Sequence, residues 1–351
     1  MPSCPRSDVL DPMQIGICHC WNRCVRRAFL CGKDPRTGKN YDHRRDWIQD
    51  RLTLLARLFA IEVGFHAELT NHIHLVLRNR PDVVETWANE DVVRRILTIH
   101  ALTRHFEHRL PEVRESEVKI TARDAKKVAE FRRRLSDISW FMKSIDEYLA
   151  RRSNHEDGVT GAFWEGRFAC RRIEDEAGLI VCGVYVDLNQ IRAGEALVPE
   201  ESVHTSAYDR IRGRTLREKS SASDQMFPDD WLCELTLQEG DEADDCDGTK
   251  AERPFRLTDK GLLPLSLEAY LELLDWTGRQ LVEGKAGAIP DHLAPILERL
   301  HIRPACWIRA VEGFEKMFGM AIGRAEAVAQ TAADTGRRWV RGLTHCAAVF
   351  T

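Results

Sequence analysis

No apolar run in the 351 residues approaches 18, so nothing in the chain reads as a membrane-spanning helix. The first residues lack the charged and apolar blocks of a signal peptide, and the expectation is a cytoplasmic protein with no membrane partner. Paired C-x-x-C modules are missing too. The eleven cysteines are odd in number and scattered, which argues against a disulfide framework and for reduced thiols. Cys18, Cys20 and Cys24 with His19 resemble a zinc set, but alternating cysteines on a first strand are more simply small core residues. Nor is there an excess of positive charge, since the net charge is −4. With 43% hydrophobic and 30% charged residues, the composition is that of an ordinary globular protein long enough for two cores.

The net charge conceals a division. Between Asp229 and Glu252 ten acidic residues accompany one basic one, Lys250, so this stretch carries −9 and the remainder of the chain +5. Glu218 to Pro254, acidic and rich in Ser and Asp, reads as a flexible linker. Arginines gather at Arg23, Arg26 and Arg27, at Arg132, Arg133 and Arg134, at Arg151 and Arg152, and at Arg167, Arg171 and Arg172. Each group alone is a solvated face; together they suit a phosphate-binding surface.

Periodicity gives an element order. Residues 15–25 read as a strand, 43–60 as a helix, 61–69 as a second strand and the run after Thr70-Asn71 as a third, paired in a hairpin. Residues 83–106 and 124–152 read as helices around a charged break at 111–121. Residues 154–161 form a loop, 168–173 a short strand, and 174–188 a helix that Gly194 stops. Strand, helix, strand, strand, helix, strand, helix is the order of a ferredoxin-like α+β sandwich with a central antiparallel sheet. One face of that sheet is covered by helices and the other free for a site. Beyond the linker, Ser266 caps a helix carrying Leu267, Tyr270, Leu271, Leu274 and Leu281. Further helices at 293–300 and 307–318 make an all-α appendage without a catalytic constellation.

The third strand holds His72-Ile73-His74. Period-two alternation puts both imidazoles on one face and Ile73, Leu75 and Leu77 on the other, a pairing suited to a divalent cation; the competing reading is two polar residues on a solvated face. In Gly183 to Gly194, Tyr185 and Asn189 are i and i+4 and share a helix face, while Val181, Val184 and Leu188 make the stripe that buries. A phenol can attack phosphorus beside a metal, and an Asn amide oxygen can be a third ligand for a hard cation; a structural Tyr and a helix-ending Asn are the plainer alternative. Trp164 offers a stacking surface for an unpaired base or a cap on the sandwich edge, and Arg167 a fork for phosphate.

His72-Ile73-His74, then Trp164-Glu165-Gly166-Arg167-Phe168, then Tyr185 to Asn189 ending in Ala193-Gly194, resemble the REP-associated tyrosine transposases, members of the single-tyrosine HUH transposases of insertion sequences. The resemblance spans about 15–197. It implies that His72, His74 and Asn189 bind Mg²⁺ or Mn²⁺ and that Tyr185 attacks a scissile phosphate in single-stranded or hairpin DNA, leaving a 5′-phosphotyrosine and a free 3′-OH. Two departures stand out. The family's Asn-Pro is Asn189-Gln190 here, and a long insertion separates the histidine strand from Trp164. Tyr148, inside that insertion with Phe141 and Ile145, is a rival nucleophile, but one turn on lies Arg152, which cannot ligate a cation. Arg23, Arg26, Arg27, Trp164, Arg167, Arg171 and Arg192 are the expected DNA contacts.

The expected organisation is a transposase-like unit over 14–215, an acidic linker over 216–255 and a helical accessory unit over 256–351. Function divides between an active metal-dependent DNA strand transferase and an inactive hairpin DNA- or RNA-binding regulator. A hydrolytic metalloenzyme is third, because no carboxylate stands beside the histidines in the sequence. Monomer and homodimer are both compatible with this reading.

Overall fold

The computed structural model describes residues 9–25, 29–104, 111–219, 226–237, 257–258, 260–283, 290 and 292–351, the side chains of 104, 282 and 283 excepted. Arg26, Arg27 and residues 238–252 lie outside the described residues, with the expectations placed on them. The elements are β1 (Gly16–Arg23), α1 (His43–Leu58), β2 (Ile61–Glu68), β3 (His72–Asn79), α2 (Pro81–Thr86), α3 (Asn89–Arg104), α4 (Glu115–Thr121), α5 (Ala125–Leu135), α6 (Ile138–Asp157) and β4 (Ala169–Ile173). Then follow α7 (Glu176–Asp187), α8 (Asn189–Arg192), α9 (Ser206–Lys219), α10 (Leu267–Glu283), α11 (Ala294–Arg299), α12 (Trp307–Glu312), α13 (Phe314–Met317), β5 (Ala321–Ile322), α14 (Ala325–Asp334) and α15 (Leu343–Val349).

Local caps decide where pattern alone had run elements together. Asp137 accepts from Ser139 N at 2.7 Å and starts α6, so the expected helix over 124–152 is two helices, and α6 runs on until Gly158 takes φ +64°. Trp87 is extended and parts α2 from α3 within the expected helix over 83–106. The charged break contains α4, anchored by buried Val118.

The sheet order is β2-β3-β1-β4-β5. β1 pairs antiparallel with β3 and β4, β2 antiparallel with β3, and β4 parallel with β5. Residues directly opposite across a ladder share a face. His19 stands opposite Val76 and Arg171, and Trp21 opposite His74, so all five belong to one face. Cys18 and Cys20 stand opposite Leu77 and Leu75 and belong to the other, buried as free thiols. That second face packs Ile73, Leu75 and Leu77 against Ile48 and Leu52 of α1 and Phe141 and Ile145 of α6.

The first face is not free, contrary to expectation. Every residue of α7 from Ala177 to Asp187 is buried, because a helix that is apolar all round must be covered on both sides. Its inner side lies on Phe65 and Val76, and its outer side is covered by Tyr270, Leu273, Trp307 and Phe314 of the C-terminal region. Gly183 makes the close approach possible, since a Cβ there would stand 2.7 Å from the Phe65 ring. The C-terminal region is mainly helical, but β5 joins the sheet edge through Arg172 N to Met320 O (2.8 Å) and Glu174 N to Ile322 O (2.9 Å), so it is not all-α.

Of the stretch expected as a linker, 216–219 lies within α9. In 226–237, Trp231, Leu232, Cys233 and Leu235 are buried, and Cys233 N donates to Val63 O at 2.9 Å where β2 bulges. Among the described residues no helix is long and apolar enough to cross a membrane.

Candidate active site

β1 and β3 lie side by side and α7 crosses their shared face, which brings His19, His72, His74 and Tyr185 together. His19 Nε2 and His74 Nδ1 are 2.9 Å apart with one N–H between them, and His72 Nδ1 donates to Asn71 Oδ1 at 2.6 Å. The His72 and His74 rings meet edge to face at 4.9 Å, and the Tyr185 ring stands edge-on to His74 at 5.6 Å. His74 Nε2 is buried without a hydrogen-bond partner. With both Nδ1 atoms engaged, the Nε2 atoms of His72 and His74 are the ones left to hold a cation. Burial pushes His74 well below the ordinary imidazole range, aided by His19, His72, Arg192 and Arg23. Burial, then Arg23, lowers His72 to about 4. Both rings are therefore neutral, the state a metal requires. They fit a divalent cation as a pair; no three His, Cys, Asp or Glu among the described residues surround one point.

Asn189 is not on the same helix as Tyr185. α7 ends at Asp187, Leu188 intervenes, and Asn189 opens the single turn of α8. Its side-chain Nδ2 is buried and unpartnered beside the site. At Gln190, where the sequence resemblance expects proline, the side chain donates Nε2 to Glu68 O (2.9 Å) and Val203 O (2.7 Å), a tether that holds the turn without a fixed φ. Gly194 at φ +72° ends the turn as expected.

Tyr185 is 1% exposed. Its hydroxyl donates to Glu315 Oε1 at 2.6 Å and its ring stacks on Phe314 at 4.3 Å. Burial and the Glu315 carboxylate hold the phenol above its ordinary pKa, with Asn189 and Arg192 acting the other way. Glu315 carries no signal in the sequence, because its meeting with Tyr185 depends on the docking of α13. His19 was legible in part: the alternation Cys18-His19-Cys20-Trp21 already sets it opposite the cysteines.

The expected DNA contacts separate into exposed and internal groups. Arg23 and Arg167 are exposed, as is Arg192, whose guanidinium lies 4.9 Å from the Tyr185 ring centroid. Arg171 is not available to DNA. It is buried, donates to Gly319 O (2.7 Å) and Phe318 O (2.8 Å), and desolvation lowers it to about 10. Trp164 is half-buried with Nε1 on Asp146 O at 2.9 Å, which makes it a cap on the sandwich edge and leaves part of the ring outside. Arg133 and Arg134 pair with Glu130, and Arg132 donates to the Trp87 carbonyl at 2.6 Å, so that cluster is spent internally. Tyr148 lies with the other face's core, its hydroxyl bonded by Arg152.

These features define a site of two neutral imidazoles and one phenol on a single sheet face. No family model and no curated protein matches the chain. One solved structure, described as "Structure of the REP associates tyrosine transposase bound to a REP hairpin", is similar over 56% of this chain and 81% of its own, at 12% identity and a TM-score of 0.30. That is a weak structural similarity.

Proposed function

We propose that the chain is a metal-dependent single-stranded DNA transposase or endonuclease of the tyrosine HUH kind, acting at hairpin-associated sites. One observation carries the reading: the histidine pair and Tyr185, far apart in sequence, meet on one sheet face, with His74 and Tyr185 rings 5.6 Å apart. The strand order β4-β1-β3-β2, built from two strand-helix-strand units, agrees with a ferredoxin-like core within a catalytic unit over 14–215. The accessory unit over 256–351 completes the site with Glu315.

Tyr185 Oη attacks the scissile phosphorus and forms the phosphotyrosine ester. The P–O3′ bond breaks, and the 3′ oxygen leaves with its electron pair and takes a proton from water. The phenolic proton passes to the Glu315 carboxylate that it already faces. Mg²⁺ or Mn²⁺ held by His72, His74 and Asn189 would polarise the phosphate. Arg23, Arg167 and Arg192 guide the backbone of the strand. Phosphate reaches Tyr185 only when the Phe314 ring stacked on it withdraws while the Glu315 carboxylate stays within reach of the hydroxyl.

That same burial favours a second reading, an inactive regulator that binds hairpin DNA or RNA. The test is incubation of the full chain with a labelled hairpin-bearing single strand and Mn²⁺, followed by a denaturing gel. A covalent adduct that disappears in Tyr185→Phe supports the transferase. An adduct that survives the substitution overturns it, and binding without any adduct selects the regulator.

A further inference from the structure

A basic and aromatic loop stands beside the cover over Tyr185. Between α14 and α15 the chain reads Gly336-Arg337-Arg338-Trp339-Val340-Arg341-Gly342. Residues 335–351 hold three arginines and no acidic residue, in a chain whose net charge is −4. Trp339 is 72% exposed, and Arg338 and Arg341 are exposed on either side of it. A single exposed apolar residue is ordinary on a protein surface. An exposed indole between guanidinium groups is different, because it joins a stacking surface to donors for phosphate.

Close contacts hold this loop against the segment that follows Phe314 and Glu315. Val340 is buried in the core that surrounds α7. A Cβ at Gly342, which takes φ +96°, would stand 2.6 Å from Met317 O, and one at Gly319 would stand 2.2 Å from Arg341 O. Arg341 Nη2 donates to Lys316 O at 3.0 Å, and His345 Nδ1 donates to Met317 O at 2.9 Å. Arg171, from the Tyr185 face of the sheet, donates to the Phe318 and Gly319 carbonyls of the same segment. Its buried guanidinium lies within electrostatic reach of Tyr185, Glu315 and Arg341 alike. The acids of the segment before the loop's contacts are Glu312 and Glu315, the second already engaged by Tyr185.

We propose that Trp339, Arg338 and Arg341 form a platform for single-stranded DNA, on which an unpaired base stacks against the indole and the guanidinium groups hold adjoining phosphates. In naming DNA it rests on the reading of the Tyr185 site, and it gives the C-terminal region a part of that strand's path. Charge selects the kind of partner. A second copy of this chain would bring the same arginines to a two-fold contact and repel them, whereas a polyanion gains by releasing its counterions. Stacking selects the unpaired strand, because the base faces of a duplex are already stacked on one another.

The test follows the fluorescence anisotropy of a labelled oligo(dT) strand titrated with the full chain in EDTA, so that no cleavage enters the readout. Trp339→Ala should weaken binding about tenfold, and Trp339→Phe should restore most of that loss because a ring face returns. Arg338→Gln should lower the salt slope by about 0.7. Circular dichroism reports folding, and Arg338→Gln decides the matter if Trp339→Ala unfolds. Wild-type affinity in folded Trp339→Ala overturns the proposal, as does a homodimer that this substitution splits without changing oligo(dT) binding. An oligo(U) strand held more tightly than oligo(dT), with the same dependence on Trp339, overturns the assignment to DNA. A missing covalent adduct in the Mn²⁺ assay, with the Trp339 dependence intact, removes the transferase reading and supports the platform by itself.

Discussion

Two buried tyrosines occupy the two layers that flank the sheet. Tyr185 is 1% exposed and Tyr148 3%, and both hydroxyls are bonded to a charged side chain. Their surroundings have opposite signs. Glu315 accepts from Tyr185, whereas Arg152 donates to Tyr148 and Arg51 stands 4.8 Å from its ring centroid. Burial raises both phenols; the arginines oppose the shift at Tyr148, while Glu315 adds to it at Tyr185. The decisive difference is what each ring faces. Tyr185 lies beside His19 and His74, and Tyr148 among Leu, Ile and Phe of the other core. Burial and hydrogen bonding therefore do not separate the proposed nucleophile from Tyr148; the sheet face does.

The largest test of this contrast is a pair of substitutions. Tyr185→Phe should reduce the covalent DNA adduct to background, whereas Tyr148→Phe should leave it within about twofold and cost only about 0.5–1.5 kcal/mol of stability for the hydroxyl's bond. The reverse result would exchange the two faces. Next in size is the cover over Tyr185. Phe314→Ala should destabilise the protein by about 3–5 kcal/mol in a denaturant titration, because a fully buried ring stacked on Tyr185 is removed. A loss below 1 kcal/mol would mean that α13 is not docked on α7.

The arginines give a smaller contrast. Arg171→Ala should cost about 1.5–3 kcal/mol for each lost bond to the Phe318 and Gly319 carbonyls. Arg167→Ala should leave stability unchanged and reduce the salt slope of single-strand binding by about 0.7. The smallest effect concerns the internally paired cluster. Hydrogen bonds from Arg133 and Arg134 hold the Glu130 carboxyl at about 2, below its ordinary 4.5. Its stabilisation is thus present above about pH 4.5 and fades as pH falls towards 2. Glu130→Gln should remove only a few tenths of a kcal/mol of that acid-dependent stability, since the Arg133 and Glu130 side chains are 40% exposed. A loss above 1 kcal/mol would mark the cluster as a folding determinant of the Tyr148 layer.

Strand periodicity made much of the sheet legible. The alternation in residues 72–77 separated the histidines from Ile73, Leu75 and Leu77, and the residues on β1 alternate in the same way. Helix limits were less legible where a cap such as Asp137 or an extended residue such as Trp87 broke a continuous apolar pattern. The acidic stretch misled through composition: its net charge concealed Trp231, Leu232 and Leu235, which reach the core.

By itself the sequence determined which side chains could share a strand face or a helix turn, because those relations are set by local periods of 2 and 3.6 residues. It also determined that α7, apolar on every side, needed cover. Only the tertiary structure decided what supplied that cover, which placed Phe314 and Glu315 on Tyr185. Tertiary structure alone set His19 against His74 and withdrew Arg171 from solvent. It also set the loop of Arg338, Trp339 and Arg341 against the segment that follows Glu315. These meetings depend on strand order and long-range docking, neither of which leaves a periodic trace in the chain.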